Sequence, residues 1–178
     1  MMDRIMGVLR LDAETFEAIE ADQNATTEAG IIIVLVAVLS GIGTSIGSGN
    51  FFMTFLITAV WAIIGWFIWA GLTLWIGTNF FDGKSDLGQM LRVVGYAQVP
   101  RVLGVLNFIP CIGPLISLAA GIWALAAAVV AVRQGLDLED STKAIIVVFI
   151  GWLVVMAGSI LIGIFVAGTA IGLGALTG

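Results

Sequence analysis

The sequence predicts an all-α fold: a polytopic membrane helix bundle of five transmembrane helices, preceded by a short N-terminal amphipathic segment. Three observations carry this. Of 178 residues, 60% are hydrophobic and 11% charged, whereas a soluble domain is closer to half apolar and about a quarter charged. Mean hydropathy is +1.14, and the polar residues are confined to short stretches between apolar runs that can cross a hydrocarbon core about 30 Å thick. When five crossings are drawn, the basic residues other than Arg101 fall on one side of the membrane.

Residues 1–29 form the N-terminal segment and hold seven of the twelve acids. Met2, Ile5, Met6 and Leu9 recur at helical spacing beside Arg4 and Arg10, which fits a short helix on the membrane surface. No signal peptide is expected, because that needs a longer apolar core and a small-residue cleavage site. Asp12 is placed to cap a second short helix over 13–21, with Phe16 and Ile19 on one face and Glu14, Glu17 and Glu20 on the wet one. One reading is a solvated tail with two nascent helices. The other, which we adopt, is an amphipathic clamp on the cytoplasmic face of the bundle, because Phe16 and Ile19 need something to bury against.

The membrane domain is expected over 30–168, with spans at about 31–46, 51–77, 90–109, 113–132 and 144–168. Gly43 and Gly47 close the first span at a spacing that permits close helix approach, although a glycine at a helix end is also a stop signal. Ser48-Gly49-Asn50 is a minimal turn that returns the chain antiparallel. The second span is roughly 40 Å long at about 1.5 Å per residue, so it must tilt or project. Phe51 and Phe52 at one end, and Trp75, Phe80 and Phe81 at the other, look like interface anchors. Trp61, Trp66 and Trp69 lie deeper, where the indole N–H can find a neighbouring helix.

The polar loop 79–89 carries an Asp82-Gly83 turn and Ser85 as N-cap with Asp86 in the following first turn. Two carboxylates without further oxygen ligands make a turn and a cap rather than a cation site. In the third span, Pro100 cannot donate to the carbonyl of Tyr96, so a kink is expected, with Arg101 beside it. Pro110 and Pro114 bracket a turn that includes Cys111 and Gly113. The fourth span presents Ser117, Ala120, Ala124 and Ala128 as a close-packing face. Residues 133–143 are the last polar loop, and 169–178 are a glycine-rich tail without charge.

Arg4, Arg10, Lys84, Arg92, Arg133 and Lys143 fall on one side of this five-span arrangement. That asymmetry places the N-terminus in the cytoplasm and the C-terminus outside it, in the cell or inner membrane if the protein is prokaryotic. The net charge of −5 comes mainly from the N-terminal segment, and no basic run exists to hold nucleic acid. A single cysteine excludes an intrachain disulfide, and the absence of histidine removes the commonest general base and metal ligand. No catalytic residue set, metal site or cofactor is expected.

The run Arg92-Val-Val-Gly95-Tyr96-Ala-Gln-Val-Pro100 after a short polar loop, together with Ile109-Pro110-x-x-Gly113 beyond it, resembles the Yip (Ypt-interacting protein) domain family of five-span membrane proteins. The segment from Leu11 to Ile19 is similar to the one preceding the first span in short prokaryotic members. The resemblance covers nearly the whole chain and implies a cytoplasmic N-terminal segment ahead of five helices. Eukaryotic relatives reside in Golgi and endoplasmic-reticulum membranes, associate with Rab-type GTPases and affect vesicle traffic and membrane shape. This chain lacks their long N-terminal region and its Asp-Leu-Tyr-Gly-Pro motif, so GTPase binding does not carry over with the resemblance.

Two functions compete. The first is a non-enzymatic membrane scaffold that binds other membrane proteins, or a second copy through small-residue helix faces, or that bends the bilayer. The alternative is a small-solute or ion transporter or channel with Gly95, Tyr96, Gln98, Arg101 and Asn107 along a polar seam. An intramembrane enzyme ranks last, because no span contains Asp, Glu or His. Candidate structural or functional residues are therefore Gly95, Tyr96, Gln98, Pro100, Arg101, Asn107, Pro110 and Gly113. The guanidinium of Arg101 is expected to satisfy the freed carbonyl at the kink together with Gln98 or Asn107. Arg92 is expected to snorkel to headgroups and to tolerate lysine.

Overall fold

A computed structural model describes residues 1–46 and 49–177, with side chains described as far as residue 164. Gly47, Ser48 and Gly178 lie outside the described residues, and with them half of the Gly43–Gly47 pair and part of the expected turn. The elements in chain order are α1 (Met2–Leu9), α2 (Ala13–Ala21), α3 (Ala25–Ser45), α4 (Phe51–Phe80), α5 (Leu87–Ala97), a 3-10 helix (Val99–Phe108), α6 (Ile112–Gly135) and α7 (Ser141–Thr177). Among the described residues four helices are long and apolar enough to cross a membrane: α3, α4, α6 and α7 over Ser141–Ile164. The helix of α7 continues past Gly168, where the sequence reading ended the last span.

Residues 90–109 are not one kinked α-helix, and the reason lies in the local chemistry. Asp86, rather than Ser85, caps α5: its side chain accepts from the backbone N–H of Gln89 at 2.9 Å, and the Gln89 side chain accepts from the backbone N–H of Asp86 at 2.7 Å. This reciprocal pair satisfies two otherwise orphaned donors. At the other end Pro100 lacks an N–H and disfavours α geometry at Val99. The chain therefore stops the α-helix at Ala97 and starts a 3-10 helix with Pro100 in its first turn, where the missing donor costs nothing. The N–H of Arg101 donates to the carbonyl of Gln98 at 2.9 Å.

Neighbouring contacts fix the direction of each element. Near one end of the bundle, Leu136 at the close of α6 packs on Gly77 of α4, and its carbonyl accepts from the N–H of Lys84 at 3.0 Å. At the opposite end the 3-10 helix meets Gly43 of α3 and Gly113 of α6. Between these ends the broken segment runs beside α3: Gly95 lies on Ala29, the carbonyl of Arg101 accepts from Ser40 Oγ at 3.4 Å, and Gly104 lies against Ser40. The core fills the space between these elements, with Val93, Val94, Tyr96 and Ala97 fully buried and the alanine face of α6 turned inward at Ala120, Ala124 and Ala128. Outward faces of α4 and α7 expose large apolar side chains such as Phe67, Ile160 and Leu161, as lipid-facing surfaces do.

The 3-10 helix is held at backbone contact on both sides. A Cβ on Gly43 would lie 2.4 Å from the carbonyl oxygen of Gly104 and 2.8 Å from that of Val105, while one on Gly113 would lie 2.3 Å from that of Leu106. None of these three backbone atoms can swing aside as a side chain can. Gly43→Ala is therefore expected to destabilise the bundle by ~1–3 kcal/mol through overpacking. Gly71→Ala, where an added Cβ meets nothing within 4 Å, is expected to be neutral or slightly stabilising, by ~0.5–1 kcal/mol. Paired thermal melts in detergent measure the difference.

Candidate functional site

Two polar regions stand out against the apolar bundle. The first is where α1 and α2 fold onto the end that gathers the starts of α3 and α5. Gln89, Arg92 and Tyr96 share one face of α5, three and four residues apart. Arg92 is buried, with Nε and Nη2 donating to the backbone carbonyl of Glu20 at 3.1 and 2.7 Å and Nη1 donating to Thr26 Oγ1 at 3.2 Å. Gln89 Nε2 donates to Glu20 Oε1 at 2.8 Å. The expected snorkelling of Arg92 toward headgroups is thus corrected: its planar fork closes the C-terminal turn of α2 against α5, because the carbonyl of Glu20 at that helix end has no partner within α2.

One turn further along, Arg4 of α1 bridges two carboxylates, donating from Nη2 to Asp22 Oδ2 at 2.6 Å and from Nη1 to Glu28 Oε2 at 3.1 Å. The Tyr96 hydroxyl donates to the same Glu28 carboxylate. Phe16 and Ile19 of α2, and Val8 of α1, are fully buried beneath these polar contacts. The hydrogen bond from Arg4 holds the Asp22 carboxyl below its ordinary value, and the same contact pushes the Arg4 guanidinium up. Glu20 moves the other way: burial, and then the charge of Asp137, raise its carboxyl against the opposing pull of Arg92.

The second region lies deeper, around Arg101. A cavity of about 210 Å³ between α3, α4 and α7 is lined in part by Ser40, Trp61, Trp66, Trp69, Gln98 and Arg101. A cleft of about 290 Å³ between α3 and α6 is lined in part by Ser40, Thr44, Arg101, Asn107 and Ser117. Ser40 and Arg101 belong to both. Trp66 Nε1 donates to the carbonyl of Leu91 at 3.1 Å and Trp61 Nε1 to Ser159 Oγ at 2.7 Å. Trp69 Nε1 and Arg101 Nε are buried and, among the described residues, meet no acceptor. Arg101 Nε therefore makes none of the bonds expected to the kink carbonyls, Gln98 or Asn107.

The residues singled out in the sequence separate into groups. Gln98 and Arg101 line the cavity, and Arg101 and Asn107 line the cleft. Tyr96 is drawn away to Glu28, and Gly95 provides room for Ala29 and the Trp66 indole. Pro100 is buried at the start of the 3-10 helix, Gly113 sits against its last turn, and Pro110 lies in the turn before α6. Glu20, expected on the wet face of α2, is instead half-buried against α5, and it, Glu28 and Arg4 carry contacts the sequence did not assign, with partners 18 to 72 positions away. The three-and-four spacing of Gln89, Arg92 and Tyr96 was the legible signal that one face of α5 addresses something polar.

The first region generates two expectations. Arg92→Lys should lose at least two of the three donor contacts and lower stability by ~2–3 kcal/mol, as loss of charge-assisted bonds from a buried group does; melting in detergent against wild type reads it. Because the Asp22 carboxyl is depressed in the fold, its contribution is fully present above the ordinary value of 3.8 and is lost as pH falls through the lower folded value. Acidification should therefore free α1 to limited proteolysis, and Arg4→Gln should make α1 labile already at neutral pH and flatten that dependence.

A family model described as the Yip1 domain matches residues 6–176, nearly the whole chain. No curated protein and no solved structure matches it.

Proposed function

The chain belongs to the Yip1 domain family, and from that premise we propose that this integral membrane protein is a non-enzymatic scaffold that presents a folded polar platform at one membrane face to a partner membrane protein. The observation that carries the reading is the fixed seat of α1 and α2. Arg92 and Arg4 tie both helices to the bundle through side chains whose partners are other side chains and carbonyls of the same chain. Groups so thoroughly engaged with one another hold a shape rather than turn over a substrate. The small-residue face of α6 is spent inside the bundle, at Ala120, Ala124 and Ala128, so the partner surface is the platform and not that stripe.

The scaffold rests on five crossings, the third made in two parts. Eleven α-helical residues at ~1.5 Å each and ten 3-10 residues at ~2.0 Å each span roughly 36 Å, enough for a hydrocarbon core of about 30 Å. Its neighbours support the crossing: the segment leaves the end where α4 finishes and reaches the end where α6 starts. Irregular backbone at that depth is tolerable because α3 and α6 cover it. The basic residues then sit with the platform in the cytoplasm, and the C-terminus lies outside.

A fluorescent protein that matures only in the cytoplasm, fused after Gly178, is expected to stay dark, while one inserted after Asp137 glows; the reverse pattern contradicts five crossings. Reconstituted into liposomes, the protein should leave solute flux at the level of empty vesicles. A copy with a cross-linker at exposed Glu14 should capture a membrane protein from its native membrane, and capture should fall with Arg92→Ala. Solute flux above the empty-vesicle level, with no change on Arg92→Ala, overturns the scaffold reading.

A further inference from the structure

Helix α1 carries more apolar surface than the bundle takes up. Arg4 and Val8 lie four residues apart on one face, and that face is spent on the bundle: Arg4 donates to Asp22 and Glu28, and Val8 is fully buried. Gly7 lies against Thr15 of α2, and Ile5 and Leu9 pack at the margin of the core. Met2 and Met6, again four apart, occupy the remaining side and are 71% and 46% exposed. Leu11, in the turn that follows, is 37% exposed. Helix α2 has no such surplus. Its exposed residues are Glu14, Glu17, Ala18 and Ala21. Of the two helices folded onto this end, only α1 turns large apolar groups outward.

The seat of α1 decides what can meet that side. Arg4 is fastened to Glu28 in the first turn of α3. Ile31, three residues or about one helical turn further on, is the first large apolar residue of α3 to be exposed, followed by Val34, Leu35 and Val38. Because α3 is long and apolar enough to cross a membrane, α1 is tied down where the lipid-facing surface of α3 begins. An amphipathic helix at such a level buries its apolar side ~5–10 Å into the boundary between headgroups and acyl chains. Methionine suits that boundary, because its unbranched side chain adapts to irregular surroundings. Arg10, exposed four residues beyond Met6, can reach phosphate oxygens over its apolar stem. A protein partner fits this face less well. Three side chains exposed by 37% to 71% fall short of the ~800 Å² per partner that a standard interface buries.

We propose that the outward face of α1, Met2 and Met6 with Leu11, is a lipid-docking surface seated among the headgroups of the bilayer. The bundle then holds α1 from one side through Arg4 and Val8, and the membrane surface holds it from the other. Helix α2 is left as the water-facing side of the platform, which confines the surface open to a partner protein to α2 and the loops beside it. This deepens the scaffold reading but requires only the seat of α1 and a chain in the membrane. It stands or falls separately from partner binding.

The test uses the full chain with Cys111→Ser, reconstituted into phosphatidylcholine liposomes and carrying one new cysteine labelled with a nitrobenzoxadiazole dye. The label sits at Met6→Cys, with Glu14→Cys as the water-facing control and Val34→Cys as the lipid-facing one. Met2→Cys repeats the reading should Met6→Cys fail to fold. Phosphatidylcholine with a nitroxide near the headgroup end of its acyl chain, or near the terminal methyl, is the quencher. The dye on α1 is expected to emit to the blue of the dye at Glu14. It should lose most of its intensity to the shallow nitroxide and less to the deep one, whereas the dye at Glu14 is quenched by neither. Water-like emission without lipid quenching on α1, while Val34 is quenched, overturns the proposal. Blue emission that no lipid quenches and that grows with the protein-to-lipid ratio assigns the face to a second copy and overturns it as well. Capture of a membrane protein through Glu14 reads the scaffold alone and leaves this result unchanged.

Discussion

Pro100 has no N–H to give, and the middle of the helix bundle is arranged around that missing donor. Away from water a backbone carbonyl without a partner costs several kcal/mol, on the order of a lost buried hydrogen bond, and Val99 and Pro100 are buried. The chain solves the problem by changing helix type rather than bending one helix. The α-helix ends at Ala97, and the 3-10 helix takes Pro100 where no donor is needed. A 3-10 helix of ten residues is long for its kind, and it needs outside support. Gly43 and Gly113 provide it by letting α3 and α6 press directly on its backbone.

The same break decides where the arginines work. Arg92, in the regular part of the segment, has its side chain directed at the end of α2 and finds the exposed carbonyl of Glu20. Arg101, one residue past Pro100, lies between a cavity and a cleft whose lining, among the described residues, carries no acid. A pair of arginines nine positions apart in one apolar segment thus divides into one that ties α2 to α5 and one whose Nε meets no acceptor among the described residues. The contacts of the first and the cavity beside the second lie at different levels along the segment.

Much of this was legible in the residues and some was not. The N-terminal helices over 1–29 could be read from the spacing of Phe16 and Ile19, because an apolar helix face needs a cover. The four long apolar runs and the loops between them could be read from hydropathy. The broken third segment was visible as a disturbance at Pro100. Proline marks where an α-helix is interrupted but does not specify the geometry beyond the break, and the 3-10 continuation depends on tertiary contact with Gly43 and Gly113. The holding contacts expected of Arg101 are made instead by Arg92, for a related reason. Depth in the sequence pattern marked Arg101 as the costly one, whereas the partners of Arg92 lie 66 to 72 residues away, and a separation of that size leaves no local trace.

The chain contains one cysteine, Cys111, exposed in the turn that joins the 3-10 helix to α6, and it reports directly on whether the broken segment crosses. In sealed inside-out and right-side-out membrane vesicles, a membrane-impermeant maleimide should label Cys111 from the face opposite Lys84, and so in right-side-out vesicles alone. Labelling in inside-out vesicles alone would place the turn on the cytoplasmic face and contradict a third crossing made of two helices.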